Sequence, residues 1–349
     1  MTAMALPPLL PLACVLVAFG TYMGPADAAG HRPGTRKEEQ ELGRALFFDT
    51  GLSADGRVSC ASCHRPEAAF GDVTAVSTGA FNKQGTRNAP SLLGASAEGE
   101  LFWDGRRASL EALVLDPLLN TVEHGLPSLE ALTSAVRARH MARFAKAFPG
   151  DEVRPVRIAE ALAVFVRALT RGESPYDLYA AGDTTALSAS QRRGLALFSG
   201  RAGCARCHRL ENGLFTDGAY HAGESLTRSQ RADAAATIPA LSEQERRDAI
   251  SLDPGVAALG RYVVTLRPSD IGRFRTPSLR NVAVTAPYMH DGQAASLAEA
   301  VQRELYYRRP PGLRLGDLTP SEREDLVAFL KSLTSFPGTR HAANSPPRK

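Results

Sequence analysis

The chain has 349 residues, a formal net charge of +4, and 44% hydrophobic and 22% charged residues. That is the composition of an ordinary globular protein with room for about two domains of ~150 residues each. The charge is too small and dispersed for a nucleic-acid binder, and no G-x-x-x-x-G-K-[ST] loop that would cradle phosphate occurs.

The first element is the apolar stretch "MALPPLLPLACVLVAFGTYMGPADAAG", uncharged until Asp27 and closed by Ala26-Asp27-Ala28. It reads as a secretory signal peptide over 1–28 with a small-x-small cleavage site, which places the mature protein in the periplasm. Pro7, Pro8, Pro11 and Pro25 interrupt it too often for a stable membrane span. Cys14 lies in this leader, and the other four cysteines form two C-x-x-C-H motifs, Cys60-Cys63-His64 and Cys204-Cys207-His208. This spacing is that of covalent c-type haem attachment, with two thioethers and one axial histidine per haem. No cysteine remains for a disulfide or to complete a zinc site.

From there the chain reads as one unit written twice. "GRALFFDTGLSADGRVSCASCH" echoes "GLALFSGRAGCARCH", "WDGRRASLEALV" echoes "HDGQAASLAEAV", and "IAEALAVFVRALT" echoes "SEREDLVAFLKSLT", in the same order in both halves. The expected fold is mostly α: two cytochrome c-like domains, 36–176 and 188–338, related by internal duplication and each holding one haem. The linker between them is "RGESPYDLYAAGDTTALS". Ile158, Leu162, Phe165, Val166 and Leu169 keep helical spacing, as do Leu326, Phe329, Leu330 and Leu333. Thr319, Pro320 and Glu322 form a start signal for the last helix, as N-cap, N1 and N3 of a capping box. These stripes read as core.

The motifs "CASCH", "GTRNAPSLLGA", "FWDGRRASLEALVLDP", "CARCH" and "FRTPSLRNVAVTAPYMHDG" resemble those of the bacterial di-haem cytochrome c peroxidases and MauG-type enzymes, over residues 40–335. The resemblance implies two haem c groups, a first that meets hydrogen peroxide and a second that relays electrons, with a calcium ion between them. Trp103 is then the stepping stone between haems, Glu123 the distal acid, and Pro117 part of the same pocket wall. Asn88, Thr285 and the Pro287 carbonyl match the calcium ligands, all oxygen donors suited to a hard cation. Leu113 stands where the family commonly has a glutamine that orients the acid, which leaves that task to another group such as His124.

The resemblance also bears on the sixth ligands. Ala80 stands where the reductively activated peroxidases carry a capping histidine, and no histidine occurs between His64 and His124. The first haem is therefore expected to be open on its distal face, with His124 as the alternative cap. At the second haem, Glu304 occupies the position of the family's methionine or tyrosine, followed by Tyr306 and Tyr307. Tyr307, one helical turn from Glu304, is the expected ligand, with Tyr306, Glu304, His221 and His290 as alternatives. Three functions follow from these residues. One is a peroxidase fed by a small cytochrome c or copper protein. The second is a MauG-like oxidase of tryptophan or tyrosine in a partner protein. The third is a non-enzymatic electron carrier, which the open first haem disfavours.

Overall fold

Thr35 caps the first helix, its hydroxyl and the Glu38 carboxylate satisfying each other's backbone N–H groups. The computed structural model describes residues 35–95, 99–169, 172–211, 213–223, 226–308 and 318–335. The expected signal peptide, and residues 336–338 of the expected second domain, lie outside them. In chain order the helices are α1 Arg36–Phe47, α2 Cys60–Cys63, α3 Leu110–Leu113, α4 Leu115–Leu119, α5 Leu129–Ala147, α6 Pro155–Ala168 and α7 Pro175–Ala180. They continue as α8 Ala189–Ser199, α9 Arg228–Thr237, α10 Glu243–Leu252, α11 Pro254–Ala257, α12 Tyr262–Thr265, α13 Leu297–Tyr307 and α14 Pro320–Lys331. A single antiparallel ribbon among the described residues pairs β1 Tyr220–Ala222 with β2 Arg273–Arg275, in the register Tyr220↔Arg275 and His221↔Phe274. The fold is mostly α, as composition and periodicity imply. The last helix starts as read, with Thr319 as N-cap, Pro320 in its first turn and Glu322 closing the capping box.

Two helix crossings organise the described residues, and they are built alike. Where α1 meets α6, a Cβ on Gly43 would lie 1.9 Å from the Ala161 carbonyl oxygen and 2.9 Å from the Phe165 Cβ. Where α8 meets α14, a Cβ on Gly194 would lie 1.9 Å from the Asp325 carbonyl oxygen and 2.8 Å from the Phe329 Cβ. Glycine inside a helix costs about 1 kcal/mol of propensity, and here backbone-to-backbone contact requires it. Around the first crossing Leu42, Leu46, Phe47, Leu132, Val136 and Phe144 are buried, and around the second Phe198, Phe215, Leu326, Phe329 and Leu333.

The segment read as a linker is packed into the second core. Ser174 caps α7, Arg280 holds Asp177 through two guanidinium contacts, and Tyr176 lies edge-on to Phe215 and Phe329. A third apolar cluster, Ile238, Ile250, Leu259, Tyr262, Val263 and Ile271, belongs to the segment 226–272, which has no counterpart in the first half. This segment docks on the first half. Arg261 donates to the carbonyls of Asp104 and Gly105, Arg87 donates to that of Ala257, and Thr86 Oγ1 donates to that of Ile250.

Candidate haem sites and the pocket of the first

Both attachment motifs sit on a single helical turn, α2 in the first case and a 3-10 turn over Cys204–Arg206 in the second. No disulfide joins these four cysteines. Burial pushes Cys60 up to about 12, Cys63 up to about 11 and Cys204 up to about 12, and it raises Cys207 as well. His64 Nδ1 lies 3.0 Å from the Phe70 carbonyl, and His208 Nδ1 lies 2.8 Å from the Phe215 carbonyl. A carbonyl only accepts, so in each ring Nδ1 carries the proton and Nε2 keeps its lone pair for a metal. Burial holds both imidazoles neutral, His208 down to about 4.

Phe70 and Phe215 each adopt a left-handed backbone, with φ 58° at both. This conformation is sparsely populated for a non-glycine residue, and it recurs at the residue that orients each histidine. Ser91 and Ser278 brace the preceding carbonyls, those of Ala69 and Leu214. Two protonated thiols and one tautomer-fixed neutral imidazole per site fit a covalently attached haem c. Arg87 adds a buried Nε without a partner, a donor suited to an acidic porphyrin edge.

In the first half, the loop with Ala80 and the turn with Glu123 are joined by backbone. Ala80 is fully buried, and its N–H donates to the Glu123 carbonyl at 2.7 Å. Gly79 lies so close that a Cβ there would be 2.0 Å from the Val122 carbonyl oxygen. Phe81 N–H donates to Asp55 at 2.7 Å, and Lys83 Nζ donates to the Thr121 carbonyl at 3.1 Å. Glu123 is half-buried, and no described group donates a hydrogen bond to its carboxylate. Burial raises its pKa above the usual 4.5, the Arg106 charge pulls it back, and Asp116 adds to the rise. Asp104 and the Phe102 ring hold the Arg106 guanidinium in place.

His124 does not hold Glu123. Its Nδ1 is engaged 2.8 Å from the Leu52 carbonyl, the residue is buried, and Nε2 lies 4.0 Å from Cys60 Sγ. It packs against the attachment cysteine rather than holding Glu123. Leu113 joins the apolar core, and the Pro117 carbonyl in α4 accepts from His124 N–H at 3.1 Å.

Trp103 ties the halves together. Its Nε1 donates to the Asn88 carbonyl at 2.9 Å, and its own carbonyl accepts from Arg275 N–H at 2.8 Å. Asn88 N–H in turn donates to the His290 carbonyl at 2.8 Å, which brings Asn88 beside the segment holding Thr285 and Pro287. The Asn88 side-chain NH2 faces the carbonyls of Thr74 and Ala75, while Thr285 Oγ1 donates to the Val282 carbonyl. His290 stacks on Phe274 at 3.9 Å and is held neutral, at about 4, by burial. Gly292, with φ +67°, presses against the Ala75 backbone, so the "HDG" stretch is a packed turn.

At the second site the candidates share one helix end. Tyr306 and Tyr307 are 53% and 45% exposed and pack edge-to-face on each other at the end of α13. Glu304, one turn before Tyr307, is partly exposed as well; its carboxylate is 3.0 Å from the Arg308 Nε, and burial raises its pKa against the pull of Arg308. The inward face of α13 is apolar: Leu297 and Ala300 are buried, and Val301 and Leu305 pack against the second core. His221 is committed to Asp217 at 2.8 Å, beside Cys207.

The contributions of Asn120, Arg106 and Asp217 were not legible at the level of motifs. Asn120 three residues before Glu123 is a turn signal; Arg106 and Asp217 meet Asp104, Phe102 and His221 within four residues, through local contacts that no motif marks.

The sequence pattern of the family described as di-haem cytochrome c peroxidase matches residues 37–185. The methylamine utilization protein MauG of Methylorubrum extorquens is 34% identical over 313 residues, covering 86% of this chain and 79% of that protein. The cytochrome c551 peroxidase of Pseudomonas aeruginosa is 33% identical over 347 residues, covering 93% and 92%. Among solved structures, a MauG-like protein associated with microbial copper homeostasis superimposes with a TM-score of 0.69 at 31% identity, covering 88% of this chain and 95% of that one. The diheme peroxidase BthA from Burkholderia thailandensis superimposes with a TM-score of 0.65 at 27% identity, covering 88% of each chain. The chain therefore belongs to the di-haem cytochrome c peroxidase and MauG family of oxidoreductases. No helix among the described residues is long and apolar enough to cross a membrane.

Proposed function

We propose that this chain is a periplasmic di-haem peroxidase that reduces hydrogen peroxide to water with electrons from a small cytochrome c or copper protein. In this reading 36–176 and 188–338 are duplicated haem domains, an origin supported by the matched crossings at Gly43 and Gly194 and the matched histidine braces. Cys60, Cys63 and His64 hold the peroxide-reacting haem; Cys204, Cys207 and His208 hold the haem that feeds it. Haem c at these sites supplies iron that binds one peroxide oxygen and takes up electrons.

The observation that carries the proposal is the joined Ala80–Glu123 pocket, where a residue without ligating atoms is bonded to the backbone of a half-buried carboxylate. Glu123 accepts the proton from the near oxygen of peroxide and returns it to the far oxygen, which leaves as water. Two electrons and two protons per peroxide then give two waters. The ionised carboxylate is the form that starts this transfer. Because burial raises its pKa above 4.5, the rate falls as pH drops through that raised value, sooner than for a solvated glutamate. Pro117 closes the pocket, Trp103 relays electrons, and calcium sits at Asn88, Thr285 and Pro287. Tyr307, at the end of α13, is the second residue that would hold the second haem.

The second reading, a MauG-like oxidase of tryptophan or tyrosine in a partner protein, draws on the same Ala80 and on the lack of methionine in α13. Glu123→Gln tests the shared chemistry: the reaction with peroxide should slow by about 10²–10⁴-fold and lose its low-pH limb. An unchanged rate refutes Glu123 as the acid. A peroxide-oxidised state that outlives turnover, and is quenched by a protein rather than by a small cytochrome, would favour the oxidase.

A further inference from the structure

The segment 226–272 is a structural addition of the second half, yet its best-defined polar contact lies beneath the Glu123 turn of the first. Asn120 is the hub of that turn. Its carbonyl accepts from Glu123 N–H at 3.1 Å and Gly125 N–H at 2.8 Å, and its Oδ1 accepts from Val122 N–H at 2.9 Å. Its backbone N–H donates to the Asp116 carbonyl at 3.0 Å, and its side-chain NH2 donates to Ser251 Oγ at 2.6 Å. Ser251 is buried near the end of α10. The same end of α10 is clamped a second time by Thr86 Oγ1, which donates to the Ile250 carbonyl, while Ile250 itself is in the segment's apolar cluster.

Among the described residues no group donates to the Glu123 carboxylate, so its place depends on the backbone of its turn. One side of that turn is held by Ala80. The other is held by Asn120, whose orientation is set from 131 residues away in sequence. We propose that Ser251 is a positioning residue for Glu123: α10 acts as a strut that fixes Asn120 and, through it, the acid. This rests on the reading of Glu123 as the proton-transfer group. It assigns to the 226–272 segment a part in the first haem's chemistry, although that segment follows the second haem motif.

The test uses the holoenzyme with Ser251→Ala, Ser251→Thr, Glu123→Gln and the Ser251→Ala/Glu123→Gln double variant. Losing one buried hydrogen bond should slow the peroxide reaction about 3- to 10-fold in Ser251→Ala, and Ser251→Thr, which keeps the hydroxyl, should restore most of it. Amide hydrogen exchange over residues 121–125 should quicken in Ser251→Ala and not in Ser251→Thr. In the Glu123→Gln background, Ser251→Ala should add no further slowing, because its effect passes through the carboxylate. A wild-type rate or unaltered exchange in Ser251→Ala, or a slowing that multiplies with that of Glu123→Gln, overturns the strut. A wild-type rate in Glu123→Gln instead overturns the acid itself, so the two failures are told apart.

Discussion

Gly79→Ala is the smallest change that strikes the pocket directly. Gly79 has φ −100° and ψ −158°, which alanine also adopts, so the substitution brings no dihedral strain. Its effect is contact alone. The new Cβ would lie 2.0 Å from the Val122 carbonyl oxygen, 2.6 Å from that of Glu123 and 2.8 Å from the Glu123 Cα, all backbone atoms that no side-chain rotation moves away. An ordinary contact begins near 3.4 Å, so loop and turn must part by about 1.4 Å. The 2.7 Å bond from Ala80 N–H to the Glu123 carbonyl is one residue away and cannot survive that shift. The stability loss should be about 1–3 kcal/mol, as for other overpacked sites. The larger effect is on rate, because a misplacement near 1 Å costs about 10²-fold. Stopped-flow absorbance in the Soret region, after mixing the ferric holoenzyme with hydrogen peroxide, should show that drop while haem content stays normal. A rate within about threefold of wild type, with an unchanged melting temperature, would refute the claim that this contact sets the acid's position.

Three other outcomes are expected. Asp49 is half-buried and accepts from Arg139 twice, from His140 and from the Gly51 N–H, and the Arg139 bonds hold its carboxyl below the usual 3.8. Its stabilisation is therefore complete above about pH 4 and lost as pH falls through the depressed value. Asp49→Asn should cost about 1–2 kcal/mol at pH 7, since Arg139 is half in solvent, with a smaller difference at pH 2 by denaturant titration. At the second haem, Tyr307→Phe should alter the ferric spectrum and potential, whereas Glu304→Ala should alter them little; the reverse result would move the ligand to the carboxylate. Gly194→Ala forces a methyl to within 1.9 Å of the Asp325 carbonyl and should lower stability by about 1–3 kcal/mol, read as a shift of about 2–4 °C per kcal/mol in the melting temperature.

The two haem motifs, the helical stripes and the capping box at Thr319 were all legible because each is a local pattern. A thioether spacing, an apolar period and a reciprocal cap span fewer than a dozen residues, and their chemistry holds wherever the chain places them. Local patterns misled where a neighbour in sequence is not the partner in space. His124 follows Glu123 directly, yet its ring points to Leu52 and Cys60 instead.

What the sequence determined by itself is therefore the fold class, the two C-x-x-C-H motifs and, by Ala80, a position without a ligating side chain. What only the tertiary structure decided is which groups surround those residues. Glu123 shares its loop contact with a segment 43 positions earlier and takes its other support, through Asn120, from Ser251, 131 positions from that hub. Trp103 is anchored by Asn88 on one side and Arg275 on the other. Such partners are selected by how helices cross and loops stack, and no periodicity in the chain encodes a contact between residues that meet only after folding.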